Sequence, residues 1–298
     1  MNKSSILIKL LFIVVASVII HGQAFADLAE IKERGELRHL GVRYANFVTG
    51  AGDGFDVELV QGFARHLGVE YKLVYSNFYN VIRDLLGQDV VRKDGQVGLT
   101  GEYPVKGDMI AAGFTVLPWR QAVLNYSTTT FPSQVLLVAP AQSTTLPIKG
   151  SENLDQDIAE TKDLIGAQRL LVMEKTCLDP ANYGLKDRGI NLQSYTKSTN
   201  INEMAPTLLA GEADYTLLDV PDVILDLQKW AGKIKVIGPI SGHQNLAAAF
   251  PKESPELQAE FNRYLEQVRA NGEYDRLLQK YYPGIQNWFP EFFASHLN

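Results

Sequence analysis

The 298-residue chain carries 28 Lys and Arg against 34 Asp and Glu, a formal net charge of −6, with 46% hydrophobic, 21% charged and 10% aromatic residues. That balance describes an ordinary globular chain and excludes disorder, collagen and coiled coil, while its mild acidity leaves no basic face for nucleic acid. A single cysteine excludes a disulfide scaffold and every cysteine-rich zinc or iron–sulfur site.

At the N-terminus, Lys3 and Lys9 precede an uncharged run from Leu10 to Ile20, too short to span a bilayer, which takes about 20 apolar residues. Ala24-Phe25-Ala26 follows, the small-x-small pattern cut by signal peptidase, ahead of Asp27. Residues 1–26 are expected to be a cleaved export signal, and the remaining chain soluble. A lipoprotein anchor would need a cysteine at the cleavage point, and the only one is Cys177.

From Asp27 onward, β-rich runs alternate with amphipathic stretches, which predicts an α/β fold with largely parallel sheets. Leu37–Val42 reads as a strand, Phe55–Leu67 as a helix with Phe55, Leu59 and Phe63 on one stripe, and Tyr71–Tyr75 as a second strand. Phe78–Leu86 reads as a helix and Met109–Phe114 as an apolar strand. Between them, Gln88–Gly107 has Asp, Lys, Gly and Pro without periodicity and reads as a surface excursion. After Val135–Val138 and the turn-rich Ala139–Gly150, a second unit repeats the alternation. Its strands are Leu170–Met173, Leu192–Tyr195, Tyr215–Leu218 and Ile234–Ile237, with helices over Asn202–Ala210 and from Pro221. Two further helices, Pro255–Ala270 and Tyr274–Tyr281, need a partner sheet, and the first unit lacks C-terminal helices. The economical arrangement is a discontinuous first lobe, 27–134 plus 240–298, around a second lobe, 135–239.

Most catalytic signatures are absent: no G-x-S-x-G, no H-E-x-x-H, no Walker A. Gly50 to Gly54 fails G-x-G-x-x-G at Phe55 and reads as a turn; His39, His66, His243 and His296 show no ligand spacing, so no metal or cofactor is expected. The informative stretch is Ala112 to Arg120, where a buried strand runs into a loop carrying Thr115 and then a guanidinium. Arg120 offers a planar fork for a carboxylate, with Thr115 beside it, against the alternative of a weak surface ion pair. Asp219 ends the strand Tyr215–Leu218, where α/β sheets place ligand groups, and either holds an ammonium or caps the helix that follows. Tyr44 and Phe78 also follow strands and could flank a ligand or fill core. Glu174-Lys175-Thr176-Cys177 follows another strand, with Cys177 read as a small packed residue.

The residues then carry a resemblance. Leu28-Ala29-Glu30-Ile31-Lys32-Glu33-Arg34-Gly35-Glu36-Leu37-Arg38, Gly54-Phe55-Asp56-Val57-Glu58-Leu59, Ala112 to Arg120 with Tyr126-Ser127, Gly211 to Asp219, and Asn271-Gly272-Glu273-Tyr274-Asp275 with Lys280-Tyr281-Tyr282 stand in the right order. Over Leu28 to about Pro283 the chain resembles the extracytoplasmic amino-acid-binding proteins of solute-binding protein family 3, which serve ABC-type importers. The resemblance implies a two-lobed periplasmic-binding-protein fold (type II), with two hinge strands, a ligand cleft between the lobes, and a monomer whose partner is a membrane permease. It implies that Arg120 and Thr115 hold the ligand α-carboxylate, that Gly113 offers its carbonyl and that Asp219 holds the α-ammonium. Tyr44 and Phe78 would flank the ligand side chain, and Thr176 would complete the carboxylate site.

Three departures concern the ligand: the Glu174–Cys177 loop is less glycine-rich than in the family, Thr128-Thr129-Thr130 replaces Asp-Pro-Tyr, and Gln88–Gly107 is long. Cyclohexadienyl dehydratases resemble the same family and carry Thr-Asn-Glu in the second-lobe loop; here the triplet is Thr176-Cys177-Leu178, so the acid is missing and no enzyme activity is expected. The N-terminal module of membrane-bound lytic transglycosylase F resembles the chain too, which offers a sensory or regulatory alternative. The aromatic tail Trp288 to Phe293 is expected to pack on the first lobe rather than dock a partner.

Overall fold

The computed structural model describes residues 27–93 and 95–294, so the expected export signal and His296 lie outside the described residues. Asp27 opens α1 (Leu28–Arg34) by accepting from the Leu28 N–H. β1 (Glu36–Val42) leads through a turn-rich segment to α2 (Phe55–Leu67), whose stripe of Phe55, Leu59 and Phe63 is buried as its spacing predicts. β2 (Glu70–Ser76) and α3 (Val81–Leu86) follow. α3 starts later than the periodicity suggests because Asn77 Oδ1 accepts from the N–H groups of Tyr79 and Asn80, turning the chain first.

The stretch Gln88–Gly107 is more ordered than its composition suggests. β3 (Asp89–Lys93) and β4 (Gln96–Thr100) pair antiparallel as a hairpin. β5 (Met109–Ile110) is shorter than the apolar run that contains it, and α4 (Pro118–Gln121), β6 (Leu124–Tyr126) and β7 (Phe131–Ser133) complete the first pass. The second unit holds β8 (Val135–Pro140), α5 (Leu154–Ile165), β9 (Arg169–Val172), β10 (Asn191–Ser194), α6 (Met204–Leu209), β11 (Tyr215–Asp219), α7 (Val220–Lys229) and β12 (Ile234–Pro239). α5 escapes a hydrophobic-periodicity reading because two of its three buried positions are polar: Asp157 and Thr161 join Ile165 there, and Thr161 Oγ1 donates to the Asp157 carbonyl at 2.8 Å. The chain returns through β13 (Gln244–Leu246) and β14 (Ala249–Pro251) into α8 (Pro255–Ala270), α9 (Glu273–Tyr281) and α10 (Pro290–Ala294).

Two five-stranded sheets result, ordered β2-β1-β5-β14-β6 and β10-β9-β11-β8-β12. In the first only β14 runs against its neighbours, and in the second only β8, so both are largely parallel. β7 and β13 pair antiparallel as a ribbon that carries the chain from the first sheet to the second and back. α9 is tied to the first sheet's unit, with Asn46 Nδ2 donating to the Tyr281 carbonyl at 2.8 Å. Phe47, Phe55, Phe131 and Tyr282 form an aromatic cluster in which Phe131 and Tyr282 approach to 4.8 Å. Each such buried ring contributes about 2–3 kcal/mol. In the tail, Phe289 and Phe293 are buried and Phe289 meets His243 edge-on at 5.6 Å, beside the ribbon.

Two buried titratable groups brace the segment after β5. His39 contacts the Tyr71 hydroxyl through Nδ1 at 2.8 Å and the Ala111 carbonyl through Nε2 at 2.6 Å, and burial pushes its pKa down to about 4. Asp56 accepts from the Gly113 N–H at 2.6 Å, and burial lifts its pKa from 3.8 to about 7. A raised carboxyl binds its proton more tightly in the folded chain, so its contribution is full below pH 3.8 and is lost as pH rises through about 7. Asp56→Asn keeps an acceptor and removes that titration. We expect the wild type to lose up to about 4 kcal/mol more than this variant between pH 4 and pH 8, read as diverging melting temperatures. Parallel curves would contradict a buried, titrating Asp56.

Candidate functional site

Where the two sheets' units meet at the ribbon, the chain buries several polar groups that do not satisfy one another. Arg120 lies on α4, 1% exposed; its Nη1 donates to the Thr115 carbonyl at 2.9 Å, while its Nε has no partner. Its guanidinium lies 4.0 Å from the Phe114 ring centroid and 5.1 Å from that of Trp119. The Thr115 side-chain hydroxyl is also buried without a partner. Facing them is Asp219, fully buried at the end of β11. Its Oδ2 accepts from the Tyr44 hydroxyl at 3.1 Å across the two units, and its Oδ1 has no partner. Asp219 occupies the N-cap position of α7 but makes no capping hydrogen bond, so its carboxylate points elsewhere than the helix.

Burial lifts the Asp219 carboxyl above its ordinary value, while hydrogen bonds from Cys177 and Tyr44 and the charge of Arg120 pull it back. Asp222, one turn along α7, is lifted well above its ordinary value, by burial first and then by Asp226 and Asp219. Both carboxyls are thus lifted, and Asp219 is the one whose ionised form the Arg120 charge favours. Arg120 and Asp219 attract one another without closing to an ion pair within 4.0 Å. Two opposite buried charges held apart, each with an unpartnered atom, are costly unless something between them supplies both signs.

Tyr44 is buried, and Phe78 meets its ring edge-on at 5.5 Å. Gly113 stands beside them at φ 57°, and a Cβ there would fall 2.4 Å from Phe47 and 2.9 Å from Tyr44. Gly113→Ala therefore pays for both left-handed backbone and overpacking, about 2 kcal/mol or more. A melting temperature within a degree of wild type would refute that account.

Thr176 is brought to the same region but its hydroxyl is committed: it donates to the Met173 carbonyl at 2.7 Å and accepts from the Leu178 N–H at 3.0 Å. The neighbouring Cys177 is buried, and its thiol lies beside the Asp219 carboxyl. Tyr183 and Gln244 complete the wall, joined at 3.4 Å through Gln244 Nε2, with Gln244 Oε1 buried and unpartnered. The Asp219–Asp222 spacing is visible in sequence as two acids on one helix face; Tyr183 and Gln244 have no local signal at all. Among the described residues, no group of three or more His, Cys, Asp or Glu could hold a metal ion, and no helix is long and apolar enough to cross a membrane.

Residues 105–284 match the model of the bacterial extracellular solute-binding proteins, family 3. Membrane-bound lytic murein transglycosylase F of Desulfosudis oleivorans is 24% identical over 236 residues, 79% of this chain and 45% of that protein, so the chain spans about half the length of such relatives. The arginine-binding extracellular protein ArtP of Bacillus subtilis is 23% identical over 246 residues, 78% of each chain. Among solved structures, a mutant of the arginine-binding protein ArgBP of T. maritima superposes with TM-score 0.67 at 24% identity, covering 86% of this chain and 98% of that one. The ancestral amino acid-binding protein AncCDT-1, a precursor of cyclohexadienyl dehydratase, superposes with TM-score 0.65 at 22% identity, with the same coverage. The matched segment holds Arg120, Asp219 and both strands of the ribbon, and the chain belongs to the bacterial extracellular solute-binding proteins, family 3.

Proposed function

We propose that this protein captures a small zwitterion, an amino acid or a close relative, between its two lobes and delivers it to an ABC-type importer. The observation that carries the reading is the pair of buried, opposite, unpaired charges, Arg120 and Asp219, each with an unpartnered polar atom. A carboxylate and an ammonium on one carbon would supply the missing partner to each. In this reading Tyr44, Phe78, Gly113, Thr115 and Arg120 act from lobe 27–134 plus 240–298 and Asp219 from lobe 135–239, where the committed Thr176 hydroxyl shapes its own turn instead of meeting the carboxylate. Closure turns on the β7–β13 ribbon, whose short strands can absorb a rotation. Export over residues 1–26, a soluble periplasmic state and a monomer belong to the same reading.

The test is a thermal-shift screen of residues 27–298, refolded to strip copurified ligand, against α-amino acids, their keto-acid analogues and simple carboxylates. A ligand at about 1,000 times its dissociation constant stabilises the fold by about 4 kcal/mol. Amino acids are expected to shift the melt and keto acids not. A shift by carboxylates alone would remove the ammonium role of Asp219.

The match to transglycosylase F supports a second reading, a sensory or regulatory module, and takes over if no small molecule shifts the melt. Prephenate and arogenate are expected to remain unconverted; appearance of an aromatic product would make the protein a dehydratase.

A further inference from the structure

Outside the Arg120–Asp219 cluster, the two lobes face each other across an open groove of about 820 Å³. One wall is the β3–β4 hairpin with the turn before α3, and the other is drawn from the segment between Glu174 and Lys186. Two aromatic side chains belong to both the groove and the buried cluster. Phe78 lines the groove and meets Tyr44 edge-on. The Trp119 ring is approached by Arg120 at 5.1 Å and by Arg92, from the hairpin, at 4.9 Å. Trp119 Nε1 is buried without a hydrogen-bond partner. The groove therefore begins where the buried cluster ends, with an unused donor at the junction.

Its charges are arranged unusually. Arg83, Arg92, Lys175 and Lys186 line it, opposed by Asp89, Glu174 and Asp179. Two of the acids are already engaged by other groups. Asp179 accepts from the N–H groups of Ala181 at 2.9 Å and Lys175 at 3.0 Å, and Asp89 lies close enough to the Tyr103 hydroxyl to raise its pKa. The ion pairs in the groove are loose: Arg83–Asp89 at 3.8 Å, Arg92–Asp179 at 3.8 Å, and Lys186 to Glu174 and Asp179 at 3.7 and 3.8 Å. Elsewhere in the molecule Arg38–Asp108 closes to 2.6 Å and Lys106–Asp84 to 2.8 Å. Lys175 makes no ion pair among the described residues, and its backbone is held at φ 62°, a conformation a lysine adopts at a cost. Cations outnumber acids here, and their N–H groups are not saturated by the acids they face.

The geometry points to an anion-binding subsite that continues the amino-acid site: it takes the far end of an α-amino acid whose long side chain terminates in a carboxylate. This deepens the reading above and rests on it. The side chain leaves the Arg120–Asp219 cluster between Phe78 and Trp119, where a carbonyl along it accepts from Trp119 Nε1. Its terminal carboxylate then meets the planar fork of Arg92 and the ammonium of Lys175, while Lys186 completes the positive wall. The groove volume falls within the range of about 300–1,000 Å³ typical of ligands larger than a free amino acid.

The experiment is calorimetric titration of wild type and the Arg92→Gln/Lys175→Gln double variant with glutamine, Nε-succinyl-lysine and γ-glutamyl-glutamate. Wild type is expected to bind the two extended acids at least about tenfold more tightly than glutamine, and the double variant to bring that ratio within about twofold. A ratio that survives both substitutions overturns the subsite, as does binding of free amino acids with none of either extended acid; the amino-acid reading would stand in both cases. If neither these three compounds nor any free amino acid binds, that reading falls and takes the subsite with it.

Discussion

Arg120→Met is expected to lower affinity for an amino-acid ligand at least about a hundredfold while leaving the free protein as stable as wild type, or more so. The two halves of this result have one cause. The guanidinium is buried with a single hydrogen bond, to the Thr115 carbonyl, and burial is the main influence lowering its pKa. A cation kept out of water at that cost, with Nε unpartnered, gives the free fold little in return. Methionine keeps much of the volume against Phe114 and Trp119 and removes the desolvation cost. Ligand binding loses a charge-assisted pair, which typically costs about 2–5 kcal/mol when one partner of a buried pair is removed. Isothermal titration and thermal melting on the same preparation check both halves, and undiminished affinity would end the carboxylate assignment.

Asp219→Asn is the complementary experiment. Amino acids are expected to lose at least about thirtyfold in affinity, within the range for an orphaned buried ammonium, whereas carboxylates lacking the ammonium lose little. The pH dependence separates this from a simple loss of shape. Burial raises the Asp219 pKa, so acidification neutralises this carboxylate sooner than an ordinary aspartate. Wild-type affinity for amino acids should fall as pH drops through that raised value, and binding should be accompanied by proton release there. The variant has nothing to titrate at this position, and its affinity should be lower and flatter with pH. A wild-type profile as flat as the variant's would mean that Asp219 serves the Tyr44 contact between the lobes and not a ligand.

That contact shows why both experiments need binding and stability read together. Tyr44 and Asp219 are 175 positions apart in sequence and touch only because the β7–β13 ribbon folds the second unit back onto the first. A change at either residue therefore alters lobe closure as well as the ligand's surroundings.

Much of the architecture is written locally in the chain. The stripe of α2, the β-rich runs of β1, β2, β9 and β11, and the leftover helices α8 and α9 each announce themselves through periodicity and stop signals, and together they imply two α/β units with a returning C-terminus. Arg120 and Asp219 are legible for the same reason: a charged residue just past a buried strand is conspicuous when everything before it is apolar. What local pattern could not convey was which polar groups are already engaged and which polar stretches are ordered. The Thr176 hydroxyl looks available in sequence, yet a turn over Met173–Leu178 has it donating to the Met173 carbonyl and accepting from the Leu178 N–H. α5 was hidden by polar residues at its buried positions, and the β3–β4 hairpin by a composition that signals only a loop. Residue type and spacing determined which elements form and which charges they carry; only the tertiary structure decided that Tyr44 meets Asp219, that Gln244 meets Tyr183, and that the hairpin's Arg92 faces Asp179, because these proximities arise from chain closure across the ribbon and leave no mark on their neighbours in sequence.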